Sequence, residues 1–148
     1  MLIEYQTRLN ELREERNLFQ KDVAKLLNTS RTNYSTWELN TKFIPLKHLN
    51  NYCNIFNVSM DYVFYLSNSR GNTINKTYKL NKKIIAENLK KFMSDRNITQ
   101  VELAKVLNTT QSTISSYVNG KTLIITSFLY QIAKEYNISM DEICNRNN

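Results

Sequence analysis

Two short runs hold the side chains best suited to recognition: Ser30-Arg31-Thr32-Asn33-Tyr34-Ser35-Thr36 and Thr110-Gln111-Ser112-Thr113-Ile114-Ser115-Ser116. One guanidinium, two amides and several hydroxyls within two helical turns can donate and accept hydrogen bonds against a patterned polar surface. They do not make a reaction centre. The chain has one histidine, His48, and two distant cysteines, Cys53 and Cys144. No catalytic triad and no zinc site can be assembled from them. A glycine-rich phosphate loop and a recognisable carboxylate pair are also missing from the motifs. The sequence therefore predicts a protein that is not an enzyme, uses no cofactor or metal, and keeps both cysteines as buried thiols.

The elements that must carry these runs occur twice, at an offset of 80 residues. Arg16-Asn17-Leu18-Phe19-Gln20 returns as Arg96-Asn97-Ile98-Thr99-Gln100. Ala24-Lys25-Leu26-Leu27-Asn28-Thr29-Ser30 returns as Ala104-Lys105-Val106-Leu107-Asn108-Thr109-Thr110, and Asn57-Val58-Ser59-Met60-Asp61 as Asn137-Ile138-Ser139-Met140-Asp141. The repeat gives three segments: a first domain over 1–66, a basic linker over 67–81 and a second domain over 82–148.

Each copy is punctuated as five helices, so the fold class is all-α. Leu2, Tyr5, Leu9 and Leu12 mark a first helix in one copy; Ile85, Leu89 and Phe92 mark it in the other. A second helix runs from Gln20 to Leu27 and from Gln100 to Leu107. Thr99 with Glu102 predicts a capping box at its start, and Phe19 predicts a looser start in the first copy. Asn28 and Asn108 stand where the chain must turn left-handed. Ser30 and Thr110 then cap third helices near 31–39 and 111–118. Leu46, Leu49, Tyr52, Cys53 and Phe56 form the apolar face of a fourth helix, as do Leu129, Ile132, Ala133 and Tyr136. Ser59 and Ser139 start a short fifth.

Composition narrows the function class. The net charge is +7, and Arg70, Lys76, Lys79, Lys82 and Lys83 supply five of those excess charges over residues 67–83, which hold no acid. Such a balance favours a polyanionic partner. No run approaches the length of a membrane span, and Met1-Leu2-Ile3-Glu4 lacks the pattern of a signal peptide. A cytoplasmic protein with no membrane partner is expected.

The second and third helices supply what a helix-turn-helix needs. Ala24 and Ala104 are small where two helices cross. Ten residues on, Tyr34 and Ile114 are apolar anchors. Val23, Leu27 and Trp37, and Leu103, Leu107 and Tyr117, complete the inner faces. On these residues, and on Tyr117-Val118-Asn119-Gly120-Lys121, both copies resemble the helix-turn-helix domain of the Cro and lambda-repressor type, the XRE family. The resemblance implies two tandem five-helix DNA-binding domains.

It also implies that the third helix of each copy enters the major groove. Base contacts would then come from Arg31, Thr32, Asn33 and Thr36, and from Gln111, Ser112, Thr113 and Ser116. Gln20 and Gln100, at the start of the supporting helix, would meet backbone phosphates, as would Lys42, Asn119 and Lys121. The expected function is sequence-specific binding of double-stranded DNA by a transcriptional repressor or regulator, without a small-molecule ligand. Because the two runs differ, two different half-sites are expected. A coil over the 17 residues 67–83 spans roughly 23 Å and at full stretch about 55 Å, which covers half-sites about 34 Å apart. The alternative gives DNA to one copy and homodimerisation or an antitoxin-like protein partner to the other, with Tyr62, Phe64, Tyr65 and Leu66 as the aromatic surface.

Overall fold

Asparagine sets the corners of this fold. The computed structural model describes residues 3–71 and 76–146. Left-handed backbone occurs at five pairs of positions 80 apart: Asn17 and Asn97, Asn28 and Asn108, Asn40 and Gly120, Asn57 and Asn137, Tyr65 and Asn145. Asn tolerates this region better than other residues with a Cβ, because its short amide can bond locally. Eight of these ten described positions are asparagine, so a chain with two glycines can still turn sharply this often. At Asn28 the turn is a Schellman closure: Thr29 N donates to Ala24 O at 2.9 Å and Asn28 N to Lys25 O at 3.1 Å. The same two bonds recur at Thr109 and Asn108.

The described residues are helical with no strand. They belong to two units, residues 1–78 and 79–148. Unit 1 contains α1 (Leu9–Glu15), α2 (Gln20–Leu26), α3 (Arg31–Glu38), α4 (Leu46–Phe56) and α5 (Met60–Val63). Unit 2 contains α6 (Lys82–Asp95), α7 (Gln100–Val106), α8 (Gln111–Val118), α9 (Thr126–Tyr136) and α10 (Met140–Ile143). No helix among the described residues is long and apolar enough to cross a membrane.

Each core is built from the faces the 3.6-residue period selects. Leu9, Val23, Tyr34, Leu49, Tyr52 and Met60 are fully buried in unit 1, and Leu89, Leu103, Ile114, Leu129, Ile132 and Met140 are buried in unit 2. Tyr52 donates its buried hydroxyl to Leu9 O at 2.7 Å. Both cysteines are buried thiols.

Two local expectations need correction. The first helix of unit 1 begins at Leu9, not near Leu2. Tyr5 precedes it and stacks on Phe43, ring centroids 3.7 Å apart; Leu2 lies outside the described residues. In unit 2, Asn81 caps α6 by accepting from Lys83 N and Ile84 N, whereas the corresponding residue of the first copy is Met1, which carries no acceptor oxygen. The second correction concerns α2. Phe19 has no capping side chain, yet its own N–H donates to Asp22 Oδ2 at 2.8 Å. In unit 2 the cap runs the other way, from Glu102 N to Thr99 Oγ1 at 3.1 Å, and the Thr99 hydroxyl meets Glu102 Oε1 at 3.0 Å. Both helices are thus fixed at their starts by one side-chain bond to backbone.

Arg70 and Tyr78, beyond α5, are tied to unit 1. Ser59 N donates to Arg70 O at 2.7 Å, Arg70 pairs with Glu15 at 2.8 Å, and the side-chain amides of Asn50 and Asn54 both donate to Tyr78 O at 2.9 Å.

Candidate nucleic-acid interface

α3 is held on its inner side and open on its outer one. Ser30 Oγ accepts from Asn33 N at 3.1 Å and starts the helix. Tyr34 and Trp37, one turn apart, are buried and meet edge to face at 6.1 Å. That fixes the rotation of the helix, so Arg31, Thr32 and Asn33 face solvent and Thr36 is half-buried. α8 repeats the arrangement. Thr110 Oγ1 accepts from Thr113 N at 3.2 Å, Ile114 and Tyr117 are buried, and Gln111 and Ser112 are exposed with Thr113 and Ser116 half-buried. Ala24 and Ala104, 2% and 5% exposed, allow the preceding helix to approach.

The outward side chains are not equally free. Arg31, Thr32, Gln111 and Ser112 make no side-chain hydrogen bond with other described residues. The Thr36 hydroxyl donates to Asn33 O at 2.6 Å and keeps its acceptor role. Asn33 Nδ2 donates to Thr29 Oγ1 at 3.3 Å, and Thr113 shares a hydroxyl contact with Thr110 at 3.0 Å. Asn119 is exposed and donates to Ser115 Oγ at 3.1 Å; Lys42 and Lys121 are exposed.

Gln20 and Gln100 both begin the supporting helix and are half-buried. Their surroundings differ. Gln20 Nε2 donates to Glu38 Oε1 at 3.0 Å, and Arg13 grips the same carboxylate. Burial pushes the Glu38 carboxyl up, but hydrogen bonds, led by Arg13, outweigh it and hold the group below the ordinary glutamate range. The Tyr34 hydroxyl is buried beside this carboxylate without a well-formed hydrogen bond. In unit 2 the corresponding residues are Met93, Val118 and Ile114. Residues 13 and 38 are far apart in sequence, and only their apolar counterparts in the second copy, Met93 and Val118, hint that they share one buried spot.

Residues 7–69 match the family model of a helix-turn-helix domain, and residues 89–143 match a helix-turn-helix model. The chain consists of two tandem helix-turn-helix domains of the XRE type. Domains of this kind belong to DNA-binding regulators. No curated protein and no solved structure matches the chain.

The fifth helix of each helix-turn-helix domain is anchored from position 8 or its twin, 88. Arg8 N donates to Val63 O at 2.8 Å and its guanidinium to Tyr62 O. Asn88 Nδ2 donates to Glu142 O and Ile143 O at 3.2 and 3.0 Å. In the first domain the guanidinium also lies 4.0 Å from the ring centroids of both Tyr62 and Tyr65. Much of the aromatic end of that copy is therefore engaged within it: Phe64 is buried and Tyr62 and Leu66 are half-buried, leaving Tyr65 exposed. Sequence reasoning also missed Phe19 and Leu39 as surface features. Each is 68% exposed, at the start of α2 and the end of α3, where the second domain has Thr99 and Asn119.

Proposed function

We propose that this protein is a transcriptional repressor that reads double-stranded DNA through both helix-turn-helix domains, with α3 and α8 in successive major grooves. Arg31, Thr32, Asn33 and Thr36 address one half-site, and Gln111, Ser112, Thr113 and Ser116 address the other. Arg31 suits guanine, where a guanidinium donates twice, and Gln111 suits adenine. Gln20, Lys42, Gln100, Asn119 and Lys121 set register on the phosphates. The observation that carries this reading is the rotation of the two helices: each buries one aromatic or aliphatic face and leaves its first turn polar and open.

Selection of bound duplexes from a random pool tests it. Two unlike half-sites at a fixed spacing are expected. A single half-site, lost on changing Gln111 but indifferent to Arg31, leaves one domain without DNA. That second reading has its own support in Phe19 and Leu39, exposed apolar groups that suit a protein partner more than phosphate. Sedimentation separates self-association from the DNA-only reading.

A further inference from the structure

Four exposed cations of the first helix-turn-helix domain have no counterpart in the second. Lys21, Arg31, Lys42 and Lys47 correspond to Val101, Gln111, Thr122 and Ser127 at the 80-residue offset. A domain that holds a duplex needs cations, because phosphate neutralisation supplies most of the sequence-independent affinity. The second domain has cations elsewhere. Lys121 stands where the first copy has Thr41, and Lys82 and Lys83 stand where it has Leu2 and Ile3; all three lysines are exposed.

These lysines arise from one corner. The first turn of α6 lies against the turn that leaves α8: a Cβ on Gly120 would stand 3.7 Å from Lys83 Cα and 3.8 Å from the Lys82 carbonyl oxygen. Two of the first-turn amides are already satisfied, since Asn81 Oδ1 accepts from Lys83 N at 2.9 Å and from Ile84 N at 3.2 Å. The ammonium groups are therefore the main donors this corner offers to an anion. Glu87, one turn along α6, makes no ion pair with Lys83 among the described residues.

We infer that Lys82, Lys83 and Lys121 form a phosphate-gripping corner that carries the second domain's DNA footprint past the C-terminal end of α8. The inference rests on the DNA-binding reading and deepens it: the first domain draws its cations from around the helix-turn-helix itself, the second from its flank.

The test is the salt dependence of binding to a random-sequence 30-bp duplex, measured by fluorescence anisotropy on the full chain. Each phosphate contact contributes about 0.9 to the slope of log affinity against log salt. Lys82→Ala with Lys83→Ala should lower that slope by about 2, so that between 50 and 200 mM salt the wild type loses about tenfold more affinity than the variant. Lys82→Arg with Lys83→Arg should keep the wild-type slope. Lys90→Ala with Lys134→Ala removes the same charge from elsewhere on unit 2 and should leave the slope nearly unchanged. An unchanged slope in the first variant, or an equal fall in the Lys90/Lys134 control, overturns the inference while the DNA-binding reading stands. Failure of the wild type to bind any duplex removes that reading instead, and this one with it.

Discussion

Arg13 holds Glu38 at two points, Nε to Oε2 at 2.7 Å and Nη2 to Oε1 at 3.0 Å, at the last residue of the recognition helix. Their side chains are 13% and 5% exposed. A buried pair of this kind is costly to break, because removing one partner strands the other charge away from water. The second domain solves the same packing problem with Met93 and Val118. Arg13→Ala should therefore destabilise unit 1 by about 3 kcal/mol. Arg13→Met with Glu38→Val and Tyr34→Ile, which copies the second domain, should recover most of that loss. Denaturant unfolding followed by Trp37, the chain's single tryptophan, reads unit 1 directly. A triple variant less stable than Arg13→Ala would show that the apolar solution does not transfer.

The pair also sets an acid limit. Glu38 titrates below its ordinary value, so its contribution is present above the unfolded pKa of about 4.3 and is lost as pH falls through the lower folded value. A second, earlier step comes from His48, whose pKa is lowered by burial and then by the neighbouring charge of Lys47. The unfolded chain then binds the proton first, and stability falls as pH drops below about 6.5. His48→Phe, the residue at the corresponding position 128, should remove the upper step and leave the lower one. Thermal unfolding of unit 1 across pH 3–8 measures both. An unchanged curve above pH 5 in His48→Phe would rule out His48 as its source.

Much of this was legible in the sequence because the chain repeats. The 80-residue offset fixed the cap positions Ser30, Thr110, Ser59 and Ser139, and each cap accepts a backbone bond in the structure. Periodicity failed at the first helix, where Tyr5 has helical spacing from Leu9 but is drawn off to stack on Phe43. It could not find Arg13 with Glu38, or Lys83 with Gly120, because neither pair shares an element and no local pattern encodes a contact across 25 or more residues. Phe19 showed the limit of motif reading: without a capping side chain it still starts α2, since Asp22 provides the bond from three residues on.

The asparagine corners give a sharper check on the fold. Asn28 and Asn108 sit at φ 56° and 53° between the supporting and recognition helices. Alanine there must adopt left-handed backbone without the amide's local bonding, at a cost of about 1–2 kcal/mol. Asn28→Ala and Asn108→Ala should each destabilise their unit by that order, and Asn28→Gly should be close to neutral, as glycine is the usual residue at such a helix end. Urea titration of each variant decides it. Equal stability of Asn28→Ala and Asn28→Gly would mean that the corner is not held left-handed in solution.

Two recognition helices with different first turns make a directional prediction. Arg31→Ala removes a side chain suited to a bidentate pair with guanine, and Gln111→Ala removes one suited to adenine; each good pair discriminates its base by about 1–3 kcal/mol. On a selected site, each change should weaken binding by about 5- to 150-fold and relax the base preference of one half-site only. Lys42→Ala should weaken binding uniformly across sequences and reduce the salt slope by about 1. Anisotropy titrations against single-base variants of the selected site separate these outcomes. If Arg31→Ala and Gln111→Ala relax the same half-site, the two domains do not divide the operator, and the tandem order of the chain has some other use.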